Sequence, residues 1–264
     1  MVSRPDSTIS ATTFRSFGYL PGVNKYRVWT TATVQLTSDT QAVRVPLESE
    51  VFYTITVAPT GEGFGLSGVV DSFTVSRGVQ IPNPSRTPHE RIGFTAFLAS
   101  DGRVSSVRFF VSDGADSGTD STCNPLTGQM LESVHALFIP LPVAALSAAN
   151  RWQDTISTTT CIQRARIIAT TVRAHEVTAG TDSAVTVAHQ GATIFSSAES
   201  NAGSTILVTG NGTSNTRAVL NIALGVADTV WTRSTSTLSV AVPQGTATFV
   251  QEVSRRAERL AIRD

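Results

Sequence analysis

The side chains able to do chemistry are few and scattered. Four histidines, His89, His135, His175 and His189, stand singly, without the HxH or HExxH spacing that sets two imidazoles on one metal. A histidine acting as general base also needs a nucleophile, and no GxSxG elbow supplies a serine. The run from Gly63 through Gly65 to Gly68 fits GxGxxG. A dinucleotide fingerprint, however, needs a helix behind it to meet the pyrophosphate, and the VVDSFTVSR that follows reads as strand. A bent hairpin fits those glycines better. Asp113, Asp116 and Asp120 crowd one loop among serines and threonines, but the EF-hand spacing and its closing glutamate are missing. A solvated turn is the expectation there. No catalytic residue, metal or cofactor is expected, and the chain reads as non-enzymatic.

Two cysteines, Cys123 and Cys161, stand 38 residues apart and share no zinc spacing with a second pair or a histidine. Two unrelated thiols is one reading; a single disulfide is the sharper one. Closing a loop of that size stabilises a fold by about 4 kcal/mol in the chain-entropy model. Such a bond persists in an oxidising compartment, so a periplasmic or extracellular location is expected. The N-terminal stretch has no apolar h-region and is no signal peptide; an export signal would lie outside this sequence. A cytosolic location stays open, as does anchoring of a precursor in a membrane. No run approaches the ~20 apolar residues of a membrane-spanning helix.

The elements that must position these groups are strands. Serine and threonine make up 66 of 264 residues, and hydroxyl and β-branched side chains at that density suit sheets with a wetted face. Twenty basic and 20 acidic residues cancel, which argues against nucleic acid and anionic membrane surfaces as main partners. Period-two alternation marks strands at Tyr26–Leu36, Glu48–Val57, Phe64–Val75, Arg91–Ala99 and Val104–Val111, with Asp101-Gly102 as a hairpin turn. Gly68 inside the third suggests a bend or bulge. Met130, Leu131, Val134, Leu137 and Phe138 recur at helical spacing, so Thr127–Phe138 is expected to be a helix, ended by Pro140 and Pro142. The Ala-rich stretch to Ala149 suggests a further short turn. Strands resume at Asp154–Cys161, Arg164–Val177, Ala184–Ile194, Thr205–Gly210, Arg217–Ala223, Thr229–Val242 and Thr246–Val253.

These signals give a mainly β fold: an antiparallel curved sheet of about eleven strands, a half-barrel, with one helical insert packed on its concave face. Residues 1–22 read as a flexible tether, 23–254 as the single half-barrel domain with its insert at about 127–149, and 255–264 as a solvated, arginine-rich tail. A helix of about 12 residues spans only ~18 Å, whereas strands of nine to eleven residues run ~30 Å or more. The helix covers part of the apolar face, and the sheet must curl to bury the rest.

Several stretches carry a resemblance. Phe138-Ile139-Pro140-Leu141-Pro142, then Arg151-Trp152-Gln153-Asp154, the TTTC ending at Cys161 and the GNG at Gly210–Gly212 resemble uncharacterised bacterial extracytoplasmic proteins, often lipoproteins, related to the outer-membrane lipoprotein-carrier half-barrels. That resemblance implies a hydrophobic cavity between curved sheet and helix, and a lipid or acyl chain as ligand. Residues expected to line the cavity are Val28, Tyr53, Ile55, Phe73, Phe94, Leu98, Leu131 and Val134. No lipidation cysteine lies near the start of this chain. The alternative is a structural accessory subunit of a cell-envelope assembly, with a protein partner and no small ligand.

Overall fold

The computed structural model describes residues 17–38, 41–77, 92–111, 125–142, 146, 150–162, 165–197, 206–242 and 245–261. Alternating apolar and hydroxyl-bearing residues form long strands: β1 (Gly22–Thr37), β2 (Ala42–Pro59), β3 (Phe64–Arg77), β4 (Ile92–Leu98) and β5 (Val104–Val111). After α1 (Pro125–Leu137) come β6 (Arg151–Ile162), β7 (Ala165–Gly180), β8 (Ala184–Ser197), β9 (Leu207–Asn221), β10 (Val226–Val242) and β11 (Gly245–Leu260). All eleven pair antiparallel in one sheet, ordered β5-β4-β3-β2-β1-β11-β10-β9-β8-β7-β6. The fold is thus two meanders joined along β1 and β11. The sheet curves without closing into a barrel, leaving β5 and β6 as its edges.

The helix plugs one end of the concave face. Pro125 opens α1, where a missing N–H costs nothing. Met130, Val134 and Leu137, one and two turns apart, are buried on its inner side. It packs against β5, β9 and β10. Around it lie Tyr26, Val28, Tyr53, Ile55, Leu98, Val185 and Leu220, each at most 2% exposed. Burial of one such aliphatic side chain stabilises by about 1.5–3 kcal/mol. Thirteen helical residues span about 20 Å, against more than ~50 Å for strands of 16 residues. Most of the strand length therefore runs beyond the helix.

Tight contacts explain two glycines. Gly102 closes the β4–β5 hairpin at φ 84°, and a Cβ there would sit 2.4 Å from the Ile139 carbonyl oxygen. Gly68 bears the ring of Phe94 directly over it, 2.0 Å from where a Cβ would be. The register shift on β3 falls opposite Phe52/Tyr53, not at Gly68. The glycine expected to bend the strand instead makes room for an aromatic ring.

Other boundaries also move. Thr205–Gly210 and Arg217–Ala223, two strands by pattern, are one: β9 runs straight through Asn211–Thr216, where both faces are polar and the apolar alternation is lost. Residues 255–260 are no tail, because β11 pairs with β1 as far as Lys25↔Leu260. Arg255 faces inward, with its side chain 9% exposed. Phe17 and Tyr19, assigned to a tether, are core residues at 7% and 3% exposure. The tether's first sixteen residues lie outside the described residues. So do His89, the Asp113, Asp116 and Asp120 loop, Cys123, the side chain of Cys161, and most of the Ala-rich stretch after Pro142.

Candidate functional site

On β8 and β10 the concave face changes character twice. On β8 it reads Val185, Val187, His189, Gly191, Thr193, Phe195; on β10 it reads Val230, Thr232, Ser234, Ser236, Leu238, Val240. The first apolar layer is the helix-plugged core. A belt of hydroxyl and charged groups follows, including Thr30, Arg173, His189, Thr216 and Arg255. Its members bond to one another, as in Thr216 Oγ1 to Thr232 Oγ1 at 3.0 Å and Thr171 Oγ1 to Thr193 Oγ1 at 2.8 Å. Beyond the belt a second apolar cluster forms from Ile167, Val208, Leu238 and Val240, with half-buried Phe195, Ile206 and Phe249 against it.

The belt is most polar where β6, β7 and β8 meet the end of the helix. Register sets Trp152, His175 and His189 side by side, with Asp154 and Arg173 in the next inward row. His175 Nε2 donates to Asp154 Oδ1 at 2.6 Å, and Arg173 Nε donates to the same oxygen at 2.9 Å. Arg173 Nη2 holds the other carboxylate oxygen. Arg173 Nη1 reaches the His135 carbonyl of α1 at 3.2 Å, satisfying a carbonyl that a helix end leaves without a partner. The Trp152 indole stacks on His175 at 5.0 Å and 6°, and its Nε1 donates to the Pro140 carbonyl at 2.8 Å. His189 leans on His175 with ring centroids 4.9 Å apart.

Burial and partners set the charges. Burial alone would raise the Asp154 carboxyl, but hydrogen bonds from His175 and Arg173 outweigh it and hold it well below the usual carboxylate range. An ionised carboxylate only accepts, so the proton of that bond sits on His175 Nε2. Burial pushes His189 down to about 3, with His175 and Arg173 adding to the shift. Burial, then Arg173, likewise takes His135 to about 4. Both are neutral imidazoles near neutral pH. The Nδ1 atoms of His175 and His189 are buried without a hydrogen-bond partner.

An aspartate orienting a histidine is half of a general-base device. The other half is missing: among the described residues no hydroxyl or thiol hydrogen-bonds to either imidazole. Nor do they contain a group of three side chains fit to hold a metal ion. The cluster ties edge strand β6 to β7, and both to the end of the helix.

The residues expected to line a cavity are brought together, but as packing. Val28, Tyr53, Ile55, Phe94, Leu98 and Val134 are all in the main core, with Phe73 packed against it from its margin. Burial pushes the Tyr53 hydroxyl up to about 12. Leu131 is half-buried on the helix. Spacing along the chain hid the His135, Asp154, His175 and His189 grouping, because antiparallel register assembles it from three strands and a helix end. Parity was the available signal: His175 alternates with Val177, and His189 with Val185 and Val187, both on the apolar face. Gly63–Gly68 leads into β3 without a following helix, so the nucleotide context is absent.

These features define a class by architecture: an open antiparallel half-barrel plugged at one end by a helix. No family model matches the chain, and no curated protein matches it. Among solved structures, OccK8 (OprE) of Pseudomonas aeruginosa aligns over 92% of this chain and 100% of that one, at 6% identity and a TM-score of 0.24. So low a score carries no argument about this chain.

Proposed function

We propose that the protein is a non-enzymatic, extracytoplasmic binding protein that takes up a single-chain amphipathic lipid on the concave face beyond the helix. One observation carries this: a second apolar cluster, Ile167, Val208, Leu238 and Val240, each at most 5% exposed, is set apart from the main core by the hydroxyl belt, and half-buried Phe195 and Phe249 form its accessible margin. An apolar cluster bounded by hydroxyls, entered between Phe195 and Phe249, matches a molecule with an acyl tail and a polar head. About ten methylenes entering it would gain on the order of 8 kcal/mol before ordering costs are subtracted. The ligand class is the one expected from the likeness to the lipoprotein-carrier half-barrels. The site differs, lying past the belt and not under the helix. An extracytoplasmic place is argued from the expected Cys123–Cys161 bond, which thiol titration of the denatured, unreduced protein tests.

A dansyl-labelled undecanoic acid is the probe. Its emission should rise and shift to the blue with the native protein, and the effect should weaken in Phe195→Ser and Phe249→Ser. No uptake by the folded protein, with no lipid carried from its own host in native mass spectrometry, would refute the proposal. A second reading, an accessory subunit of a cell-envelope assembly, is favoured by the unpaired outer edge of the 12-residue strand β6. Co-purification with an envelope protein, lost on substituting prolines along β6, would support that one instead.

A further inference from the structure

The convex face carries a feature that neither the helix nor the concave cluster uses. Two rows of outward side chains cross the strands from β6 to β10. Register sets Arg151, Glu176, Ala188, Arg217 and Trp231 in the first row. The second row holds Gln153, Ala174, Gln190, Asn215 and Arg233. Between them, over β6–β8, lies a depression of about 380 Å³ lined by residues of both rows together with Trp152, His175 and His189. Ala174 and Ala188 add only methyl groups to its lining. The depression lies over β6–β8; four interstrand steps at ~4.8 Å carry the two rows on to β10, about 19 Å from β6.

The β9–β10 end of the two rows differs in charge from the rest of this face. Other cations nearby are compensated: Arg151 by Glu176 at 2.8 Å, Arg27 by Glu50, and Arg256 by Glu258. Arg217 and Arg233 are exposed, and among the described residues neither has a hydrogen-bond or ion-pair partner. They flank the Trp231 indole, which is 38% exposed and has the Arg256 guanidinium 6.0 Å from its ring centroid. Two free guanidinium forks call for carboxylate or sulfate oxygens. An exposed indole between them calls for a flat apolar face. The carboxamides of Gln153, Gln190 and Asn215 each offer donor and acceptor together, as a hydroxyl does. A ligand with anionic groups, apolar ring faces and many hydroxyls meets all three demands.

We infer that these two convex rows, from the depression over β6–β8 to Trp231, are a binding site for an acidic oligosaccharide, one bearing carboxylate or sulfate groups, with a sugar ring against the exposed part of Trp231 and its anionic groups held by Arg217 and Arg233. An acidic peptide would satisfy the arginines but leave the carboxamides and the indole idle. Titration calorimetry with the full chain tests the assignment, using tetragalacturonate and a sulfated carrageenan tetrasaccharide as probes and maltotetraose as the neutral control. One acidic probe or both should bind at least about tenfold more tightly than maltotetraose, and that affinity should fall with added salt. Arg217→Gln and Arg233→Gln should each weaken it by about tenfold, and Trp231→Ala by a similar factor. All three positions are on the surface, so circular dichroism and the melting temperature should stay unchanged. Failure of both acidic probes to bind overturns the proposal. So does unchanged affinity in the three variants, or equal affinity for a tetraglutamate peptide.

Discussion

His189 provides the sharpest test of the buried polar cluster. Its imidazole is 6% exposed, lies 4.9 Å from the His175 ring, and is held near a pKa of about 3 by burial first and by His175 and Arg173 after it. The unfolded chain takes up a proton on this side chain near pH ~6.5, while the folded protein refuses it until far lower. Below about pH 6.5 the unfolded state therefore binds more protons, and stability must fall as pH falls. Going from about pH 7 to about pH 5, the linkage for one such histidine amounts to about 2 kcal/mol. That is a substantial share of the 5–15 kcal/mol by which ordinary domains are stable. Urea unfolding at a series of pH values, for the native chain and for His189→Gln, isolates the effect. The variant keeps a polar group but has nothing to protonate, so its stability should decline over this range by about 2 kcal/mol less than the native chain's. His135, held near about 4, keeps some acid sensitivity in both proteins. If the two curves run parallel from neutral pH to about pH 5, the account of a buried, neutral His189 is wrong.

Two other substitutions probe the same end of the molecule. Asp154→Ala strips the carboxylate from Arg173, whose side chain is 5% exposed, and from His175; leaving that cation buried and unpaired should cost about 3–5 kcal/mol in urea unfolding. Tyr19→Phe removes a hydroxyl that donates to the Ile139 carbonyl at 2.8 Å and accepts from the Ile139 N–H at 2.7 Å; with both backbone groups left unsatisfied, thermal unfolding should report a loss of about 1–3 kcal/mol.

Much of the architecture was legible in the residues. Period-two alternation located nearly every strand, and Met130, Val134 and Leu137 located the helix to within two residues at its start. The break in β9 was misread because Asn-Gly at 211–212 has the chemistry of a turn, while its partners on β8 and β10 hold it extended. Residues 255–260 were misread because arginines next to glutamates look solvated. In fact Arg255 reaches across to Glu132 on the helix at 2.5 Å, a contact between residues 123 positions apart. The polar cluster was hidden for the same reason: register, and not spacing along the chain, brings His175, His189 and Asp154 together. Trp231 and its two arginines become neighbours only through the continuous β9, whose register with β10 spacing along the chain does not reveal.

The pairing of the first strand with the last bears on how the chain acquires its shape. Hairpins zip each meander from neighbouring residues, but the ladder between them joins Thr30 to Arg255 across 225 positions. Closing that seam is expected to be the slow step, because entropy opposes bringing such distant partners together. During synthesis β1 waits with one edge bare until β11 leaves the ribosome. A chaperone that shields this edge would act on the nascent protein and have no foothold on the finished one.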